Sequence, residues 1–375
     1  MNRVFITGIG LVSALGNSLG TSWQNLIANQ SGIQLHQPFA ELGKLPLGLI
    51  ANQPVELSDL TQLVVDLALQ DANILTSLEK CAVVVGSSRS HQGVWERMLR
   101  GEENLDRWLE TLPHMNAIAV ARRVGTTGIV LAPMAACSTG IWAISQAAML
   151  IQTGQCQRAI AGAVEAAITP LTINGFRQMG ALAKTGAYPF DVRREGLVLG
   201  EGGAIFVLES AELAYQRQAQ IYGEILGFGL TADGYHPNAP NPSGKSAIAA
   251  IQQCLQRSRL QASDINYIHA HGTGTEINDA TESLIIRNMF SQQVAVSSTK
   301  GATGHTIGAS GALGVAFSLM ALREQILPPC VGLQNPEYDL NFVRRAELSK
   351  INYALCLSFG FGGQNGAIAL GKIEF

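Results

Sequence analysis

Residues 133–143 read P-M-A-A-C-S-T-G-I-W-A, and the rest of the chain is read outward from them. Cys137 follows an apolar run and precedes Ser138-Thr139-Gly140; a helical pattern of small and apolar residues then runs from Ile141 to Thr153. The spacing predicts a strand, a tight turn and a helix, with the thiol in the turn. A sulfur at a helix start feels the positive end of the macrodipole and faces unsatisfied backbone N–H groups, and both favour the thiolate. The dipole supplies only about 0.3–1 kcal/mol at an exposed end, so a nucleophile placed here needs a further partner. Taken alone, Cys137 also reads as a buried structural thiol.

The same strand–turn–helix alternation extends in both directions. Strand-like runs occupy Val4–Gly8, Cys81–Gly86, Arg158–Gly162 and Ala204–Leu208, with a helical pattern over Leu60–Ala72. Further along, strands are expected at Gln220–Gly229, Ile265–Ala270 and Val294–Ser298, and a final pair at Ala354–Phe359 and Ala367–Leu370. Helices are expected at Pro242–Arg259, Asp279–Phe290 and Gly308–Arg323. Apolar strands alternating with helices imply an α/β protein with a buried sheet. The order of elements repeats, which suggests two halves, residues 1–215 and 216–375. Each half offers a strand, a turn with a reactive residue (Cys137 or His305) and a helix, and a duplicated fold would bring the two turns together.

Composition excludes several classes. Of 375 residues 47% are hydrophobic, enough for one large core or two medium ones. A formal net charge of −3 implies no general attraction to nucleic acid or to a membrane surface. No apolar stretch reaches the roughly 18 residues that span a bilayer. The start, MNRVFITGIGLVSALG, has a basic residue ahead of an apolar run, but Gly8 and Gly10 interrupt it, and a strand followed by a turn accounts for it. The six cysteines are scattered, without a C-x-x-C pair, as expected of reduced thiols in a cytoplasmic protein.

Three more stretches can carry chemistry. Residues 268–275, I-H-A-H-G-T-G-T, put His271 where a strand gives way to glycines that admit a ligand and threonines that can bind a polar one. His269 and His271 share a face if both lie on the strand, so a zinc site with Cys137 is the alternative. No carboxylate or third histidine stands at a ligand-like spacing, and no metal is expected. Residues 297–311, S-S-T-K-G-A-T-G-H-T-I-G-A-S-G, place Lys300 near His305. This is no phosphate loop, because the lysine precedes its glycines. Its cation disfavours an imidazolium, which leaves His305 neutral and able to donate to an oxyanion. Residues 358–365, S-F-G-F-G-G-Q-N, read either as a hairpin turn with Phe359 and Phe361 in the core or as a mobile gate beside the cysteine.

In this order the motifs resemble the β-ketoacyl-acyl-carrier-protein synthases of the thiolase superfamily, over nearly the whole chain. V-F-I-T-G-I-G-L-V-S-A-L-G-N-S is similar to that family's opening strand, and A-C-S-T-G to its nucleophile segment. H-G-T-G-T matches its first histidine and K-G-A-T-G-H its lysine and second histidine. P-F-D-V-R-R-E-G-L-V-L-G-E-G-G (189–203) and G-F-G-G-Q-N are also family-like. The resemblance implies a thiolase-like fold of two duplicated βαβαβ-type halves in α-β-α-β-α layers. It implies a decarboxylative Claisen condensation between an acyl-enzyme and malonyl-ACP. Cys137, His271, His305 and Lys300 would be catalytic. Thr273, Thr275, Phe359, Gly360, Phe361 and Glu282 would complete the substrate site. The threonines would hold phosphopantetheine, the N–H groups of Cys137 and Phe361 would form the oxyanion hole, Phe361 would be the gate, and Glu282 would pair with Lys300. No cofactor is implied, since 4′-phosphopantetheine arrives on the carrier protein. The implied partners are an acyl carrier protein and a second subunit, in a homodimer or a heterodimer.

The sequence departs from the family in places. The segment Ser88–Val130 and the loop Ala183–Tyr188 look shortened. The helix from Leu57 carries Asp59 and Asp66 in place of basic residues that often meet a carrier protein. Leu357, Gln364 and Asn238 stand where asparagine, threonine and threonine are common. These leave the chemistry intact and open two alternatives: a polyketide or specialised-lipid ketosynthase, and a silent partner subunit. Silent partners usually lack the cysteine.

Overall fold

The computed structural model describes residues 2–373. Ten strands form one sheet: β1 (Val4–Ser13), β2 (Ala82–Gly86), β3 (Val130–Leu131), β4 (Arg158–Glu165), β5 (Gly202–Ser210), β6 (Gly223–Ala232), β7 (Tyr267–His269), β8 (Ala295–Ser297), β9 (Tyr353–Gly360) and β10 (Gln364–Gly371). Their spatial order is β8-β7-β9-β10-β6-β1-β5-β4-β2-β3. The first five and the last five strands are arranged identically. β1 runs antiparallel to β5 and β5 to β4, while β4-β2-β3 are parallel. β6 runs antiparallel to β10 and β10 to β9, while β9-β7-β8 are parallel. The halves join where Val4–Ile6 pairs with Gly223–Ile225.

Six helices occupy matching places: α1 (Leu57–Asp71), α2 (Met115–Val124) and α3 (Thr139–Gln152) in the first half, α4 (Lys245–Ser258), α5 (Glu276–Met289) and α6 (Ser310–Glu324) in the second. Three apolar cores separate the layers. Val83, Val85 and Ile160 face α1 and α2, while their neighbours Val84 and Ala161 face α3 and α6. Beyond the other half, Ile268, Leu355 and Ala369 pack on α4 and α5, while Tyr267, Cys356 and Ile368 face the centre. Alternation along each strand thus buries both faces. This is the α-β-α-β-α arrangement of a thiolase-like fold. α6 is buried from Ser310 through Leu322, as a middle-layer helix must be. Its start crosses that of α3 so closely that a Cβ on Gly140 would lie 2.5 Å from Ala312 N.

One expectation is corrected here. Gly8 and Gly10 do not end the first strand, which runs on to Ser13. A Cβ on Gly8 would meet Ala72 Cβ at 2.5 Å, so these glycines admit the close crossing of α1. Strand β3, α2 and the helices Leu19–Ile27, Gln92–Leu99 and Pro170–Gln178 have no counterpart among the elements expected from sequence.

Candidate active site

The reactive turns follow the carboxyl ends of parallel strands, where open α/β sheets bind ligands. Cys137 sits two residues ahead of α3, and the preceding Ala136 holds φ at +47°, a conformation alanine rarely adopts. Hydrogen bonds to the opposite half fix this turn. Ser358 Oγ donates to Cys137 O at 2.9 Å, and Ser138 Oγ lies 2.7 Å from Ser358 O and 2.6 Å from Gln364 O. A Cβ on Gly360 would stand 2.9 Å from Cys137 N, so only glycine lets β9 end here.

The expectation of a favoured thiolate is corrected. Burial pushes the Cys137 thiol up to about 11; the Lys300 cation, the Arg89 cation and the Phe361 N–H oppose it without overcoming it. Desolvation outweighs the small dipole effect.

Cys137, His271 and His305 converge: their ligand atoms all lie within 4.8 Å of one another, and all three residues are buried. The imidazole rings meet edge-on, with centroids 5.5 Å apart. Burial, then the Lys300 cation, hold both histidines well below the usual imidazole range, so both are neutral. Their tautomers follow from their partners. Lys300 Nζ lies 3.4 Å from His271 Nδ1 and also donates to His271 O. Ile307 N–H donates to His305 Nδ1 at 3.1 Å, and Ser310 Oγ lies 2.8 Å from the same atom. With both Nδ1 atoms accepting, both rings carry the proton on Nε2 and are donors there.

Two buried carboxylates shape the His271 turn. Glu282 accepts from His271 N at 2.6 Å and Gly272 N at 2.7 Å. Asp279 accepts from Phe190 N at 2.8 Å, Thr273 N at 3.1 Å and Gly274 N at 3.2 Å. The expected Lys300–Glu282 ion pair is therefore corrected: Glu282 is occupied by backbone amides and acts on Lys300 only through its field. The His269–His271 zinc alternative is corrected as well. Strand β7 stops at His269, so the two side chains do not share a strand face. His269 Nε2 lies 3.1 Å from Thr299 Oγ1, and its Nδ1 3.8 Å from Cys356 Sγ. Among the described residues, the group close enough to hold a metal is Cys137, His271 and His305 themselves.

A cavity of about 420 Å³ opens on these three residues and is lined also by Thr273, Thr275, Phe359, Gly360 and Phe361. The two threonine hydroxyls are 2.9 Å apart. Phe359 meets His271 edge-on at 5.9 Å, and Phe361 stacks on Phe176 at 5.8 Å. Asn238, a departure from the family pattern, lines the mouth. Glu282 does not line it; Glu282 supports the turn from behind. Ser138, Ser358, Ser310 and Glu165 were not foreseen. Glu165 was legible only as a charge closing an apolar strand.

Residues 56–214 match the Beta-ketoacyl synthase, N-terminal domain, and residues 222–334 the Beta-ketoacyl synthase, C-terminal domain. The 3-oxoacyl-[acyl-carrier-protein] synthase 2 of Coxiella burnetii is 34% identical in an alignment that covers 99% of each chain. The chain belongs to the β-ketoacyl synthase family, whose members are acyltransferase-class condensing enzymes. Two solved structures resemble it throughout. One is a type II polyketide acyl-carrier protein in complex with its ketosynthase bound to the hexaketide (TM-score 0.93, 27% identity, 99% of this chain and 100% of that). The other is the ishigamide ketosynthase/chain length factor (TM-score 0.92, 26% identity, 100% of each chain).

Proposed function

We propose that the chain condenses an acyl group with a malonyl unit, both delivered as thioesters of an acyl carrier protein, with Cys137 as nucleophile and His271 and His305 as donors to the enolate oxygen. The observation that carries this reading is the convergence of one thiol with two neutral imidazoles, each with its Nδ1 occupied and its Nε2–H available. In the first step Cys137 Sγ bonds to the acyl carbonyl carbon as the carrier's S–C bond breaks, and the departing sulfur takes the thiol proton. The oxyanion of this step is held by the N–H groups of Cys137 and Phe361. In the second step the malonyl C–C bond breaks and carbon dioxide leaves. The electron pair becomes an enolate whose oxygen the two Nε2–H groups stabilise, a donor worth about 2.7–4 kcal/mol each at comparable sites. The enolate carbon then bonds to the acyl carbon, the Cys137 S–C bond breaks with its electron pair on sulfur, and the sulfur takes a proton from water to restore the thiol. Burial, reinforced by the Lys300 cation, keeps both histidines neutral. Thr273 and Thr275 bind the pantetheine arm, Phe359, Gly360 and Phe361 form its gated wall, and Glu282 positions the His271 turn. No cofactor of the chain's own is required; 4′-phosphopantetheine belongs to the carrier.

The division into residues 1–215 and 216–375 is supported by the repeated strand order. A second subunit is proposed at the free edge of β3, probed by a homodimer first and a heterodimer second. Leu131 there is 37% exposed, and Met134, three residues further on, is 53% exposed. Six free thiols support a cytoplasmic setting, and no helix among the described residues is long and apolar enough to cross a membrane. A polyketide or specialised-lipid substrate is the second reading, favoured by the likeness to the hexaketide-bound ketosynthase.

Intact-mass analysis after incubation with a panel of acyl-carrier proteins tests the proposal. One acyl adduct, placed on Cys137 by peptide mapping and chased to a β-ketoacyl product by malonyl-ACP, is expected. An adduct on Cys156 or Cys254, or none with any carrier thioester, would overturn it.

A further inference from the structure

Arg89 is a cation that the proposed reaction does not use. It lies in the turn after β2, where its backbone N–H donates to Glu165 Oε1 at 3.0 Å. The same carboxylate accepts from Ser87 Oγ, Ser88 N and Ser88 Oγ, and from Gly308 N at 3.0 Å, three residues beyond His305. Glu165 thus ties the Arg89 turn to the histidine turn. The guanidinium carbon lies 5.8 Å from the centroid of Phe176. Phe176 packs in one apolar cluster with Cys137, Ile168 and Ile307. Within salt-bridge distance the guanidinium has no carboxylate among the described residues. Its Nε is buried without a hydrogen-bond partner. A donor left in this state costs free energy until an acceptor reaches it.

In the proposed reaction an acyl group on Cys137 meets two surroundings, the cavity mouth and the apolar cluster in which the sulfur is packed. The mouth, past Thr273 and Asn238, is taken by the carrier's arm in the proposed reaction. The other is the cluster of Phe176, Ile168 and Ile307, beside which Arg89 stands. A second cavity of about 220 Å³ shares Ile168 with that cluster and is lined also by Ser90, His91 and Thr169, next in sequence to Arg89, which itself does not line it. The geometry points to Arg89 as a specificity-determining residue that favours acyl groups carrying an oxygen acceptor beyond the thioester, carboxylate or keto, over plain alkyl chains. This rests on the condensing role of Cys137. A guanidinium forks onto two oxygens, and an alkyl chain leaves it unpaired. In the transfer step Arg89 gives up no proton and no electrons; it only binds the incoming group.

The test measures initial rates of Cys137 acylation by intact mass, on the full-length protein, with hexanoyl-, 3-oxohexanoyl- and 5-carboxypentanoyl-carrier protein. At least one oxygenated thioester should exceed hexanoyl by about tenfold or more in the wild type, the scale on which a built polar site rejects an analogue lacking its partner. Arg89→Leu should erase or invert that ratio, and Arg89→Lys should keep part of the carboxylate preference. The two oxygenated arms separate carboxylate from keto recognition. Ratios taken within one variant do not depend on how much of it folds. A wild type that prefers hexanoyl, or an unchanged ratio in Arg89→Leu and Arg89→Lys, would overturn the role of Arg89 alone. Failure of every thioester to acylate wild-type Cys137 would bring down the condensing reading with it.

Discussion

The two halves of the molecule share a strand order but solve the same local problem differently. Each must hold a turn at the end of a parallel strand without losing its backbone donors, and each uses buried acid. In the first half one carboxylate, Glu165 at the end of β4, takes five donors, four from its own half and one, Gly308, from the other. In the second half two carboxylates near the start of α5, Asp279 and Glu282, divide the amides of residues 271–274. The outer edges differ too. β8 is covered by residues 341–343, whereas β3 pairs on one side only among the described residues. The lesson is that duplication supplies the scaffold and not the chemistry. One half brings a sulfur, the other two imidazoles, and the site exists only where they meet.

Replacing the sulfur that only the first half supplies breaks this comparison most sharply. Cys137→Ala should form no acyl-enzyme, and condensation should fall by roughly 10⁴ or more. Cys137→Gln, a neutral mimic of the acylated side chain, should retain malonyl decarboxylation, read as released carbon dioxide. Residual acylation of either variant would move the nucleophile elsewhere.

The supporting acids come next. A hydrogen bond to a charged group contributes about 1.5–3 kcal/mol, and glutamine turns one acceptor into a donor facing N–H groups. Glu165→Gln should therefore lower unfolding free energy by roughly 3 kcal/mol or more, because it serves five donors and bridges the halves. Glu282→Gln should lose less stability and proportionally more turnover, since it positions His271. Denaturant titration beside kcat separates the two; identical profiles would mean that the carboxylates are interchangeable.

The smallest effect concerns pH. The folded pKa values of His271 and His305 lie below the ordinary value of about 6.5, so the unfolded chain binds more protons there. That stability is present above about pH 6.5 and decreases as pH falls below it. Lys300→Met should raise both histidine pKa values, seen as NMR titration midpoints at higher pH, and flatten the acid-side loss. Unmoved midpoints would show that burial alone sets them.

Much of this was legible in the sequence. The Cys137 turn, the two histidine turns and the repeated element order are local patterns, and local patterns survive folding. What was not legible depends on pairings between distant residues. Ser358 reaches Cys137 across 221 positions, and Gly308 reaches Glu165 across 143. The ionisation of Cys137 was misjudged because a helix start is visible in sequence and complete burial is not. Family resemblance pairs Glu282 with Lys300, and a matched position cannot say whether a carboxylate will meet an ammonium or two backbone amides. The segment Ser88–Val130 stayed unassigned because Leu99, Leu105, Trp108 and Leu109 are exposed, so its apolar residues do not mark an inward face.

The central claim is a division of labour: the first half takes up the acyl group and the second stabilises the enolate. Single-turnover acylation of Cys137 measured beside carbon dioxide release, on His271→Ala and His305→Ala, tests it most directly. Both variants should lose condensation and decarboxylation, while at least one still forms acyl-enzyme. Condensation at the wild-type rate in both would contradict the claim and leave the family likeness describing the fold without the mechanism.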